Sequence, residues 1–150
     1  MREGASRVAL EVNSVLREYL AVQNRLFKFS FKKALGLVKP DPSGASASVI
    51  PLLERLEAVR EEIKELSPES DTAEGRFLIV LRGYAKAMSS AMVSFQELCS
   101  KLEEGRKDRS YRKRGYPEDM RQFQLKEAEY LEIGLKLNDL KKALNRDSKK

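Results

Sequence analysis

The spacing of apolar side chains constrains this chain more than any other feature. Val8, Val12, Val15, Tyr19, Val22, Leu26 and Phe29 recur at alternating intervals of four and three residues. Only a helix returns such positions to one side of the backbone, so the spacing predicts helix one over about 6–38. Leu16, Leu20, Phe27, Phe31 and Val38 form a second stripe on the same cylinder. A helix apolar over that much of its circumference is expected to touch more than one neighbour.

Lys39-Pro40-Asp41-Pro42-Ser43-Gly44-Ala45-Ser46 interrupts the pattern, and its two prolines, with Gly and Ser, predict a long loop over 39–47. Val49, Leu52, Leu56, Val59, Ile63 and Leu66 then repeat at three and four, placing helix two over about 48–66 with Pro51 in its first turn. Ser67-Pro68-Glu69-Ser70 ends it, and Asp71 with Glu74 forms a variant capping box at the start of helix three, about 72–104. Its seam is Phe77, Leu81, Tyr84, Met88, Ala91, Phe95, Leu98 and Leu102. The run Phe77-Leu78-Ile79-Val80-Leu81 would suit a buried strand, but the register that continues through it favours helix. Gly83 and its small neighbours make the middle of this helix slim enough for close backbone approach. Tyr116-Pro117-Glu118-Asp119 opens helix four, about 117–145, with proline in the first turn and acids where the helix dipole favours them. Its stripe is Phe123, Tyr130, Ile133, Leu137, Leu140 and Leu144, with Lys126 at one expected apolar position and Ala128, Leu131 and Leu135 as a flanking row. The tail 146–150 is expected to fray.

About half the chain is Ala, Glu, Lys, Leu and Arg, as in long packed helices. Four amphipathic helices with short to moderate connections predict an all-α, antiparallel up-down-up-down four-helix bundle in one domain spanning 1–150. Helices one and three would reach roughly 50 Å and helix two about 28 Å at the standard rise. The Pro/Ser loop must then cover the difference or leave a groove. A homodimer or a protein partner held by apolar surface on helices one and three is therefore an alternative role.

Zero His and one Cys exclude imidazole general bases, most transition-metal sites and the usual Ser-His and Cys-His nucleophilic pairs. Neither a phosphate-binding Gly-rich loop nor a dinucleotide fingerprint is present. Ser30-Phe31-Lys32-Lys33 and Ser110-Tyr111-Arg112-Lys113 match Ser-x-x-Lys, but no more often than chance allows in a chain this rich in Ser and Lys. The expectation is a non-catalytic protein without cofactor or metal. Cys99 reads as a small buried hydrophobe. The amino terminus lacks the apolar stretch of a secretory signal, no apolar run suits a membrane span, and a lone cysteine fits a reducing compartment, so a cytoplasmic location is expected.

Charge is the remaining signal. Arg106-Lys107-Asp108-Arg109-Ser110-Tyr111-Arg112-Lys113-Arg114 holds six basic residues and one acid in a chain whose formal charge is +6. Its basicity is local, because the other 141 residues carry 23 basic and 22 acidic groups. In the expected topology Lys28, Lys32, Lys33 and Lys39 approach the same pole as this segment, which reads as a basic loop over 105–116. Arg106, Lys107, Arg109, Arg112, Lys113 and Arg114, with those lysines, form a candidate surface for a polyanion such as RNA or DNA, and Tyr111 is a candidate for stacking on a base. Cations beside helix carboxyl termini also complement the dipole, but six in nine residues exceed that need.

Overall fold

The computed structural model describes residues 2–34, 41–105 and 108–148. The side chains of residues 28–34, 147 and 148 lie outside that description. Four long helices pack on one another, α1 (Glu3–Ala34), α2 (Pro42–Glu65), α3 (Ala73–Glu104) and α4 (Tyr116–Ser148), and no strand occurs among the described residues.

α2 begins six residues before its expected start, so 42–47 is helix rather than loop. Asp41 explains the difference. Its carboxylate caps the helix by accepting the Gly44 amide at 2.9 Å, and Pro42 occupies the first turn, where its missing N–H costs nothing. Gly44 is suited to this fold-over, because a Cβ there would lie 2.1 Å from Asp41 Oδ2. At α3 the cap is Thr72 rather than Asp71, with Oγ1 accepting from the Gly75 amide at 2.9 Å. Glu74 turns away to the first residues of the chain, accepting from the Arg2 amide and from Arg2 Nε at 2.8 Å. The slim middle of α3 is not used at Gly83, where a Cβ would meet nothing within 4 Å. Close approach occurs instead at Gly75, against the backbone of Glu69.

α2 lies between α1 and α3, and α3 between α2 and α4. Arg55 of α2 bridges Glu11 and Glu18 of α1, and Arg7 pairs with Glu62. Gln96 of α3 donates to the Ser46 carbonyl at 3.2 Å, and Lys101 meets Asp119 of α4 at 3.0 Å. α1 reaches across to α4 through long side chains, with Phe27 on Phe123 and Tyr19 on Tyr130. One contiguous core draws on all four helices, and the expected seams of α1 and α3 supply most of it. Val8 to Leu26 and Phe77 to Leu98 are buried at the expected seam positions, while Phe29 falls among the side chains outside the description. The core widens on α3 to include Leu78, Ala85, Met92 and Cys99.

α4 departs most from its expected pattern. Its inward seam runs Phe123, Glu127, Tyr130 and Gly134, so a glutamate takes the position next to the one that sequence spacing assigned to Lys126. Ile133, Leu137, Leu140 and Leu144 are only partly buried. Among the described residues no helix is long and apolar enough to cross a membrane.

Candidate functional site

The basic segment is helical where it is described, not a loop. Asp108 precedes two helical residues, 109–110, which continue as a π-helical turn (Tyr111–Gly115) into α4. Two local features account for this geometry. Asp108 Oδ1 accepts the amides of Ser110 at 2.9 Å and Tyr111 at 3.4 Å, giving the turn a side-chain cap. Pro117 cannot donate to the carbonyl four residues back and its ring crowds it, and a wider turn with the Tyr116 amide bonded to the Tyr111 carbonyl relieves that conflict.

Tyr111 anchors the turn. Its ring lies where a Cβ on Gly105 would come within 2.2 Å and a Cβ on Gly115 within 2.5 Å, so two glycines make room for one aromatic ring. Its hydroxyl donates to Asp119 Oδ2 at 3.0 Å, and its ring meets Tyr116 edge to face at 6.5 Å. Burial first, then the bond to Asp119, pushes the Tyr111 phenol above its ordinary range. The ring that sequence reasoning assigned to base stacking thus holds the turn to the ends of α3 and α4. Asp119 serves two partners, since its other oxygen accepts from Lys101 Nζ at 3.0 Å.

The turn has two chemically different sides. A shallow hollow behind it is lined by Lys101, Glu104, Asp108, Tyr111 and Asp119 among others, so the inner side carries more acid than base. Arg109, Arg112, Lys113 and Arg114 are exposed on the outside. Arg109, Lys113 and Arg114 form no ion pair with a described residue. Arg106, Lys107 and Lys39 lie outside the described residues, as do the side chains of Lys28, Lys32 and Lys33. Four of the expected cations are therefore placed together and the others are not located.

A second polar cluster escaped the sequence reading. Glu127 sits between α1 and α4, where Oε1 accepts from the Tyr19 hydroxyl at 2.5 Å and Oε2 from the Tyr130 hydroxyl at 2.5 Å. These are lengths at which a hydroxyl donates to a carboxylate. Gln23 Nε2 adds a bond to Oε1 at 3.2 Å. Both tyrosines are fully buried, and that burial, reinforced by Glu127, drives their phenols well above the ordinary range. Tyr84, edge to face with Tyr130, is pushed up to about 12 by burial first and Glu127 second. The available signal was Glu127 falling four residues after Phe123 and three before Tyr130, a core spacing occupied by an acid. The described hydrogen bonds of this cluster are all internal, and they join α1 to α4.

No three or more Cys, Asp or Glu gather in a metal-binding arrangement among the described residues. Compared with models of protein families, with curated proteins and with solved structures, the chain matches none.

Proposed function

We propose that this chain is a non-catalytic binding module, an antiparallel up-down-up-down four-helix bundle whose π-helical turn contacts the phosphate backbone of RNA or DNA. The topology rests on contacts in which numbers rise along one helix as they fall along the next: Arg7 with Glu62 and Glu18 with Arg55 between α1 and α2, Ser46 with Gln96 and Arg60 beside Arg82 between α2 and α3, and Tyr84 with Tyr130 and Lys101 with Asp119 between α3 and α4. The binding reading rests on one observation. Arg109, Arg112, Lys113 and Arg114 are exposed together on a turn pinned by Tyr111 and Asp119, so four cations are displayed on a rigid support. A pre-ordered cationic turn loses less conformational entropy on binding than a flexible one. Phosphate contact by cations alone carries no base preference, so binding should be insensitive to sequence and steeply salt-dependent.

Fluorescence anisotropy with short labelled RNA and DNA across a salt series tests this. If all six cations of the 106–114 segment contact duplex phosphates, the log-log slope approaches about −5. It should collapse when Arg106, Lys107, Arg109, Arg112, Lys113 and Arg114 become Ser. No binding at low salt removes the proposal.

One observation favours the alternative of an assembly role, and it concerns α4 rather than helices one and three. Leu125, Leu131 and Leu135 are 55%, 54% and 69% exposed, with exposed Ala128 among them. Leu10 and Leu20 on α1, and Ile79 and Val93 on α3, are exposed singly and far apart along their helices. A second copy laid antiparallel on α4 would set Leu125 opposite Leu135 and Arg121 opposite Asp139, with Leu131 near its own counterpart. This pairing is self-complementary in charge, as a two-fold interface requires. Sedimentation equilibrium should show dimers of the native chain, monomers of R121D and of D139R, and dimers again when those two variants are mixed. A monomeric native chain, or single variants that dimerise as well as it does, would rule this reading out.

A further inference from the structure

Between α2 and α3, well away from the π-helical turn, lies a cleft of about 390 Å³ lined by Arg60, Ile63, Lys64, Pro68, Ile79, Arg82, Gly83 and Lys86. Its charges are all of one sign. Arg60 and Lys64 are one helical turn apart on α2, and Arg82 and Lys86 are one turn apart on α3, so two basic pairs border the same space. No acid lines the cleft. Along α3 it lies roughly 33 Å from Gly105, which makes it a separate feature from the basic turn.

An independent observation falls on the same residues. Among the described residues, Arg60 Nε and Arg82 Nε are the buried side-chain polar atoms without a hydrogen-bond partner, and both residues line this cleft. A buried donor left unpaired is costly, and four like charges around one hollow repel one another. Arg60 has a partial remedy in Glu57, which accepts from its Nη1 at 3.1 Å on the exposed side. Lys64 complements the dipole at the end of α2. Arg82 and Lys86 sit in the interior of α3, where the dipole offers them nothing, and neither is ion-paired with a described residue.

The geometry points to a binding site for a dianionic oxyanion, the phosphate group of a small phosphate monoester, held between Arg60 and Arg82 with Lys64 and Lys86 at the rim. Guanidinium groups suit this ligand because they donate several N–H bonds in one plane to neighbouring oxygens. Ile63, Pro68 and Ile79 give the cleft an apolar wall, which favours an ester whose organic part is apolar over free phosphate. Gly83 leaves the α3 side open, since a Cβ there would meet nothing within 4 Å.

The test is an NMR titration of the full chain with phenyl phosphate, inorganic phosphate and, as controls, phenol and sodium chloride at matched ionic strength. Phenyl phosphate should shift the Nε–Hε signals of Arg60 and Arg82 along saturable curves, inorganic phosphate should do so more weakly, and the controls should not. R60M and R82M should each weaken phenyl phosphate binding about tenfold or more. R82K, which keeps the charge and loses the planar donor, should weaken it nearly as much. Serine substitutions at Arg109, Arg112, Lys113 and Arg114 should leave it unchanged, which separates this site from the basic turn. Dispersion of the amide spectrum verifies that each variant is folded. Shifts that do not saturate, that sodium chloride reproduces, or that persist in R60M and R82M would overturn the assignment.

Discussion

Replacing Glu127 by Leu removes the acceptor shared by two buried hydroxyls, and its cost follows from the structure. Tyr19 and Tyr130 are fully buried, each donates to a different oxygen of Glu127 at 2.5 Å, and no other acceptor for either hydroxyl appears among the described contacts. A buried hydroxyl deprived of its partner costs about 1–3 kcal/mol, so two of them cost about 2–6 kcal/mol. The added apolar side chain returns part of that, leaving a net loss of about 3 kcal/mol. Proteins of this size are stable by only about 5–15 kcal/mol. With a urea slope of about 2 kcal/mol per molar, the unfolding midpoint should fall by about 1.5 M. The informative comparison is the triple variant Tyr19→Phe, Glu127→Leu, Tyr130→Phe, in which no hydroxyl remains to be satisfied. It should recover most of the loss, because removing every partner of a polar network costs less than removing one. Urea unfolding followed by helical circular dichroism, at one low protein concentration so that association does not contribute, measures all three chains. A Glu127→Leu chain within 1 kcal/mol of the native one, or a triple variant no more stable than the single one, refutes the reasoning.

Further expectations concern glycines, tyrosines and the cysteine. Gly75→Ala should destabilise severely, because its Cβ would lie 1.7 Å from the Glu69 carbonyl oxygen, whereas Gly83→Ala should stabilise by up to about 1 kcal/mol, a rise of about 3 °C in a thermal melt. All five tyrosines have phenols raised above their ordinary value near 10, chiefly by burial. Their unfolded forms lose protons first, so stability from this source is complete below pH 10 and declines above it. Ultraviolet titration should therefore show tyrosinate appearing late and together with loss of helix, and early ionisation with the helices intact would contradict it. Cys99, buried and pushed up to about 12 by that burial, should react with a thiol reagent at the rate of unfolding rather than at that of an exposed thiol.

Four helices and the inner faces of α1 and α3 were legible in the sequence because heptad spacing is a local property that any packed helix must display. The start of α2 was not, since Pro42 and Gly44 read as loop residues until Asp41 is placed as their cap. The basic segment was legible as charge but not as shape. Its π-helical turn depends on Tyr111 fitting between Gly105 and Gly115, a contact between residues that sequence spacing does not relate.

What the sequence determined by itself was an all-helical chain with a locally basic stretch and no histidine chemistry, because periodicity, composition and charge are properties of residues in order. Tertiary structure decided which polar groups meet. It brought Glu127 to Tyr19 across 108 positions, and it set Arg60 and Arg82 on one cleft with unpaired Nε atoms. Burial and desolvation depend on what the neighbouring helix supplies, and each helix carries its own periodicity without recording its neighbour's register.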